Sequence, residues 1–373
     1  MGYARPFALE PSAPIVREER ACAESGKLLG LELLRFGSAL AVLFFHYRHF
    51  AHLHGMPTVP RDSVPFYGLL WPLYEYGQYG VQIFWGISGY IFFWKYGPAI
   101  HAKSVAARDF FWLRVSRLYP LHIATLGAVI ALEAIHRHLT GQNFIYRTDD
   151  GGLFVRQLFL ATDWGPQAPF SFNGPIWSIS AEVAVYAAFF LIVGRFAPTM
   201  RLCASVILAG LALQLAGVDW VSVACATYFF AGGLAALFRP KSPWPAAAAL
   251  ASLVGLCAMS GILGDRDKLP MVLLLAVPCL LVLTSRDWPL LNRWQNPVQA
   301  AGNLTYSSYL LHFPLQLLLA IVVAASGVVP PLASSWFLAA YLGATLAAAV
   351  LSYRWFELPV QRWIRQRTLK LAA

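Results

Sequence analysis

Apolar residues run through this chain in ten long blocks separated by short polar stretches. The blocks cover residues 31–51, 77–96, 118–136, 175–194, 202–218, 220–238, 244–263, 269–285, 304–326 and 333–353. A helix of roughly 20 apolar residues spans the ~30 Å hydrocarbon core of a bilayer. The pattern predicts an all-α fold, a polytopic membrane helix bundle of about ten transmembrane helices. No connecting segment reads as a second globular domain. Residues 1–26 are polar and contain prolines, and are expected to form a flexible cytoplasmic tail. Residues 27–367 then form the membrane domain and 368–373 a C-terminal tail. The outer loops 52–76 and 137–174 are long enough to form a lid over an outward-facing site or a solvated connector.

Composition agrees with the pattern. The chain is 58% hydrophobic and 12% charged, where soluble domains carry about 25% charged residues. The net charge of +10 could suggest nucleic acid, but the basic residues sit at the ends of the apolar blocks. With the N-terminus inside, 21 of the 28 Lys and Arg residues fall on inner segments and 7 on outer ones. This bias predicts an N-in, C-in orientation in the bilayer and removes the reason to invoke nucleic acid. The five cysteines (Cys22, Cys203, Cys225, Cys257, Cys279) are scattered and predict neither disulfides nor a zinc knuckle. No Walker loop, HExxH or GxSxG occurs.

The candidate chemistry lies where polar residues interrupt the blocks. In the first, Glu32 and Arg35 are three apart and able to pair. Arg35 and His46 are eleven apart, almost three helical turns, so they share a face about 16 Å apart. Arg114 and Arg117 share a face beside aromatic residues and could clamp phosphates, or serve as interfacial anchors. Ser88 lies in a glycine-rich helix whose glycines are best explained by close helix packing. The fourth block opens with Trp177, Ser178 and Ser180 and carries Glu182; Ser178, Glu182 and Tyr186 form a four-step stripe. Ser308, His312 and Gln316 form another, in which His312 is either a site residue or a hydrogen-bonded core histidine. An ionisable group within an apolar span is a functional candidate. His46, His49, His52 and His54 are close in sequence, but no carboxylate or thiol completes a ligand set, so no metal is expected. The segment 354–370 reads as a cytoplasmic anchor helix. Counting depth from the cytoplasmic side puts the arginines at the inner mouth, with Glu182 and His46 together in the outer half. Such a shaft suits a long cytosolic donor with a phosphate head and a slender reactive arm.

These motifs together resemble the acyltransferase 3 family of bacterial integral-membrane O-acyltransferases. The matching pieces are Glu32…Arg35…His46, Phe84…Ser88-Gly89, Arg114-Val-Ser-Arg117 with Pro120, Trp177-Ser-Ile-Ser-Ala-Glu182, Tyr309-Leu-Leu-His312-Phe-Pro314 and Glu357-Leu-Pro359. They cover roughly residues 27–367. Glu32 stands where the family more often has Asp, Leu33 where it has Gly, and Trp85-Gly86 replaces a more usual pair. The resemblance implies transfer of an acyl group, usually acetyl from acetyl-CoA, to a hydroxyl of a sugar or glycan, at the bacterial inner membrane. Arg35 and His46 correspond to its essential pair, and Arg114 and Arg117 to its donor site. On this reading His46, Arg35 and Glu182 are catalytic, and Arg35, Arg114, Arg117 and Ser88 bind the acyl-CoA donor. Trp177, Ser178, Ser180 and His312 bind the acceptor, and Glu182 with the serines orients His46 or binds the sugar. His46 is general base or transient acyl carrier. The acceptor and any homo-oligomer are left open. No SGNH-type domain follows the last block, so a relay to one is not expected. The rival expectation is a transporter or flippase for a polar solute, which would call for an inverted repeat with broken helices; none is seen.

Overall fold

Among the described residues, each of the ten apolar blocks falls mainly on a helix. In chain order these are α1 (Leu29–Tyr47), α2 (Gly80–Lys95), α3 (Ala107–Thr140), α4 (Ile176–Arg195), α5 (Met200–Leu215), α6 (Val221–Leu237), α7 (Trp244–Ser260), α8 (Leu269–Thr284), α9 (Thr305–Ser326) and α10 (Ser335–Ser352). A last helix, α11 (Leu358–Thr368), follows α10. The computed structural model describes residues 28–52, 60–146, 150–238, 240–260 and 268–369, and among these there is no β-strand. The expected tail 1–26 lies outside the described residues, as does most of 368–373.

Five helical stretches are long and apolar enough to cross a membrane: Leu29–Ala51, Ala107–Thr140, Ile176–Arg195, Thr305–Ser326 and Ser335–Thr368. Helices α2, α5 and α8 have 16 residues and α6 and α7 have 17. At 1.5 Å per residue these reach only about 25 Å, short of the ~30 Å core. Large apolar side chains nevertheless point outward from them and from α4, among them Leu191, Leu208, Met259 and Leu275. An outer surface of that kind suits lipid and not water. The chain is a helical membrane protein.

The third helix departs from expectation. It begins at Ala107, not 118, because residues 107–117 are too charged to score as apolar but contain nothing that breaks a helix. Arg114 and Arg117 therefore lie about 10 and 15 Å into the helix and not at its mouth.

Helix α2 packs most closely against α6, and glycines permit it. A Cβ on Gly89 would strike the Phe229 carbonyl, and one on Gly232 the Gly86 carbonyl. Trp85, Phe92, Phe93, Phe189, Phe229 and Phe230 fill the space around this contact. A second aromatic cluster, Tyr47, Phe50, Tyr74, Phe313, Phe337 and Tyr341, closes the other end of α1. There Arg48 pairs with Glu75 at 2.8 Å, tying the end of the first span to the helix Tyr67–Tyr76 inside what reads as an outer loop. The other long loop is also structured: it carries a helix, Gly151–Leu158, capped by the Asp150 carboxylate.

Candidate functional site

Helices α1, α2, α3, α4 and α9 converge on a narrow cavity of about 120 Å³. Arg35, Ser88, Arg114, Arg117, Ser178 and Glu182 all line it, together with Tyr306 and Tyr309. Periodicity explains how they meet. Ser178, Glu182 and Tyr186 stand on one face of α4, and Ser88 of α2 reaches across to them. The Glu182 carboxylate accepts from Ser88 Oγ and from Tyr186 Oη at 2.5 Å. Arg117 and Arg35 also act electrostatically on this buried carboxyl group.

The three arginines are held differently. Arg35 pairs with Glu32 at 3.1 Å, one turn back on α1. Arg114 sits in an aromatic cage, 5.0, 5.1 and 5.8 Å from the ring centres of Phe92, Tyr96 and Phe110, and donates to Tyr96 Oη at 2.9 Å. Such a cage fixes a guanidinium in place. Arg117 keeps an accessible side chain although protein surrounds it, because it faces two cavities. The second cavity, about 250 Å³, shares Arg35, Arg117 and Tyr306 with the first.

Further along α1 lies a histidine cluster. His46 is 4.7 Å from His312 and 4.8 Å from His49 between ring centres. His46 Nδ1 lies 2.8 Å from the Val42 carbonyl, and His312 Nδ1 lies 2.6 Å from that of Tyr309. A carbonyl oxygen only accepts, so in neutral rings both Nδ1 atoms carry the hydrogen and both Nε2 atoms present lone pairs. His312 is fully buried, and its Nε2 has no hydrogen-bond partner among the described groups. Gln316 donates to the His46 carbonyl at 2.7 Å and its Oε1 lies 3.2 Å from His49 Nδ1. No group of three His, Cys, Asp or Glu among the described residues is placed to hold a metal; His54 lies outside them.

One face of α9 links the two regions. Tyr306 lines both cavities, Tyr309 lines the narrow one, His312 touches His46, and Gln316 braces it. These residues step by three, three and four, which keeps them on one face over about 15 Å. His312 and Gln316 are legible as a stripe with Ser308; Tyr306 is not, because the four-residue step back from Ser308 leads to Leu304.

Several expectations change. Glu182 does not orient His46: its hydrogen bonds go to Ser88 and Tyr186, and the His46 ring is set by its own helix. Glu182 and Ser88 belong with the arginines, and His312 belongs with His46, so Glu182 and His46 do not lie together. His46 lines neither cavity. Ser180 faces the long loop between α3 and α4, where its Oγ accepts from the Asp163 amide at 3.0 Å and its carbonyl from Trp164. Burial there pushes the Asp163 carboxyl above the usual carboxylate range. Trp177 packs edge-on against Trp85 and Phe170 and does not line the cavities. Ser178 does line the narrow cavity, and its Oγ is 2.7 Å from Tyr309 Oη. The segment after α10 is not a simple anchor, since Glu357 and Arg365 line the larger cavity.

Residues 28–354 match the model of the acyltransferase 3 family, described as an acyltransferase domain. A curated relative, acyltransferase MdmB of Streptomyces mycarofaciens, is 30% identical over 118 residues. That match takes in 30% of this chain and 27% of the relative, so it speaks for a short stretch of each. No solved structure matches the chain.

Proposed function

Because this chain belongs to the acyltransferase 3 family, we propose that it moves an acyl group, acetyl in the first instance, from cytoplasmic acyl-CoA to a hydroxyl of a sugar in a cell-surface or exported glycan. The observation that carries this reading is the succession of groups along α1 and α9. Guanidiniums and a carboxylate cluster at one end, and an imidazole with an unprotonated Nε2 stands about 16 Å away along α1. The donor set fits the donor: Arg35, Arg114 and Arg117 offer fixed positive charge to phosphates. The narrow cavity admits a slender arm but not a nucleotide.

A bound thioester would supply the activated carbonyl. Arg35 and Arg117 hold the phosphate-bearing end, and the caged Arg114 keeps the local field positive. Ser88 and Glu182 line the path of the arm. His46 Nε2 takes the proton from the attacking hydroxyl as its oxygen bonds the thioester carbonyl carbon; the C–S bond then breaks and the proton passes to the departing CoA thiolate, with Nδ1 bonded to Val42 throughout. His312, pressed against that ring, has a lone pair facing the same cluster.

The test is transfer of radiolabelled acetyl from acetyl-CoA to glycan in membranes carrying the wild-type chain. Incorporation that depends on the chain is expected. If labelled acetyl-CoA gives no ester while a polar solute crosses the membrane, the transporter reading replaces this one. Comparison of surface glycans from a deletion strain identifies the acceptor.

A further inference from the structure

Helix α11 packs against α3. Between α10 and α11 the helix makes one wide turn of π geometry, Tyr353–Glu357. Such turns insert an extra residue and re-aim the helix beyond them, and they recur at functional sites. Here the turn sets Glu357 against Ser307 at 2.6 Å and Ser352 at 2.7 Å. Further along α11, Arg365 Nε donates to Ser116 Oγ of α3 at 3.3 Å. The result is the larger cavity of about 250 Å³, into which α11 contributes Arg365 beside Arg35 and Arg117.

The charges in this cavity are arranged unevenly. Two carboxylates line it, Glu32, paired with Arg35, and Glu357, which accepts from two serine hydroxyls. Three guanidiniums face the same space. It also adjoins the narrow cavity through a shared wall of Arg35, Arg117 and Tyr306. Two adjoining cavities, one lined by three guanidiniums and the other by Ser88, Tyr306 and Tyr309, suit a molecule with a phosphate-rich head and a thin arm. Planar guanidiniums suit phosphate oxygens, which they grip with two parallel hydrogen bonds.

We propose that the larger cavity seats the nucleotide phosphates of the donor, and that Arg365 of α11 is a donor-binding residue alongside Arg35 and Arg117. This rests on the acyl-CoA reading of the narrow cavity. The role falls on one of several basic positions in a terminal helix, distinguished from Arg362 and Arg367 because it lines the cavity and bonds Ser116.

The experiment compares two probes on the purified full-length protein by isothermal titration calorimetry. Coenzyme A carries the nucleotide phosphates, and pantetheine carries the arm without them. In Arg365→Gln, coenzyme A binding should weaken at least tenfold, while pantetheine binds as it does to the wild type. Arg365→Lys, which keeps the charge and loses the planar fork, should fall between. Should Arg365→Gln fail to fold, the lysine variant carries the same comparison. Equal weakening of both probes would mean that Arg365 only braces α11 on α3, and unchanged coenzyme A binding would remove it from the site. Either result overturns this inference alone. A wild-type chain that binds no coenzyme A overturns the acyl-CoA reading as well.

Discussion

At His46 the backbone decides which nitrogen can react. The Val42 carbonyl claims Nδ1, so Nε2 is the only basic atom the ring can offer. Replacing His46 by Ala should leave an inserted, folded protein and lower acyl transfer by about 10²- to 10⁴-fold, the usual contribution of a general base. Labelled acetyl incorporation, normalised to the amount of protein in the membrane, measures it, and near wild-type turnover would exclude His46 as the base. Gln316 is the second residue to test, since one amide braces both the His46 carbonyl and the His49 ring. Gln316→Leu keeps the volume roughly constant and removes both hydrogen bonds, each worth about 0.5–1.5 kcal/mol. We expect a lower melting temperature and a lower kcat with KM for acetyl-CoA nearly unchanged. A selective rise in KM would place Gln316 in the donor site instead. The pairing of Arg35 with Glu32 and the shared face of Arg35 and His46 were legible in the sequence, because both depend only on the pitch of a single helix. The contacts of Glu182 were not. They join α4 to α2, and no local spacing encodes which helices become neighbours.

At the scale of elements, the glycines of α2 and α6 are the firmest link between sequence and packing. The glycines of α2 recur at steps of three residues or multiples of three, which reads as a close-approach surface, and at Gly86 and Gly89 its backbone meets that of α6. Gly89→Ala and Gly232→Ala each insert a methyl group against a carbonyl that has no room to move. Overpacking of this kind costs about 1–3 kcal/mol. Both variants should unfold at lower temperature in detergent, whereas Gly343→Ala, where a Cβ meets no atom within 4 Å, should not. Equal melting temperatures for all three would mean that α2 and α6 separate easily. Helix boundaries were less legible than helix existence. The apolar block of α3 marks only the part that needs lipid; the charged eleven residues from Ala107 to Arg117 extend the same helix and carry the two arginines inward. The wide turn after α10 was invisible, because a helix with one extra residue has no distinctive composition.

At the scale of the whole molecule, the distribution of Lys and Arg implies a cytoplasmic N-terminus. Cys22 gives a direct measurement, since Cys203, Cys225 and Cys257 are buried and Cys279 is half-buried in an apolar helix. A membrane-impermeant maleimide added to intact cells should leave Cys22 unmodified and should label it once the membrane is permeabilised. Labelling before permeabilisation would invert the orientation and put the basic cavity on the wrong side for a cytosolic donor. The direct contact of α2 with α6 has a further bearing on the narrow cavity, whose wall includes Trp85, Ser88 and Phe92 of α2. With two main chains touching behind it, that wall has nowhere to retreat. The protein should then behave as a caliper for its donor. Acetyl thioesters should be turned over, and the rate should drop steeply as methylenes are added, measured across a series from acetyl- to octanoyl-CoA. A flat profile would mean that the rigidity of two glycine-bearing helices has no part in choosing what is transferred.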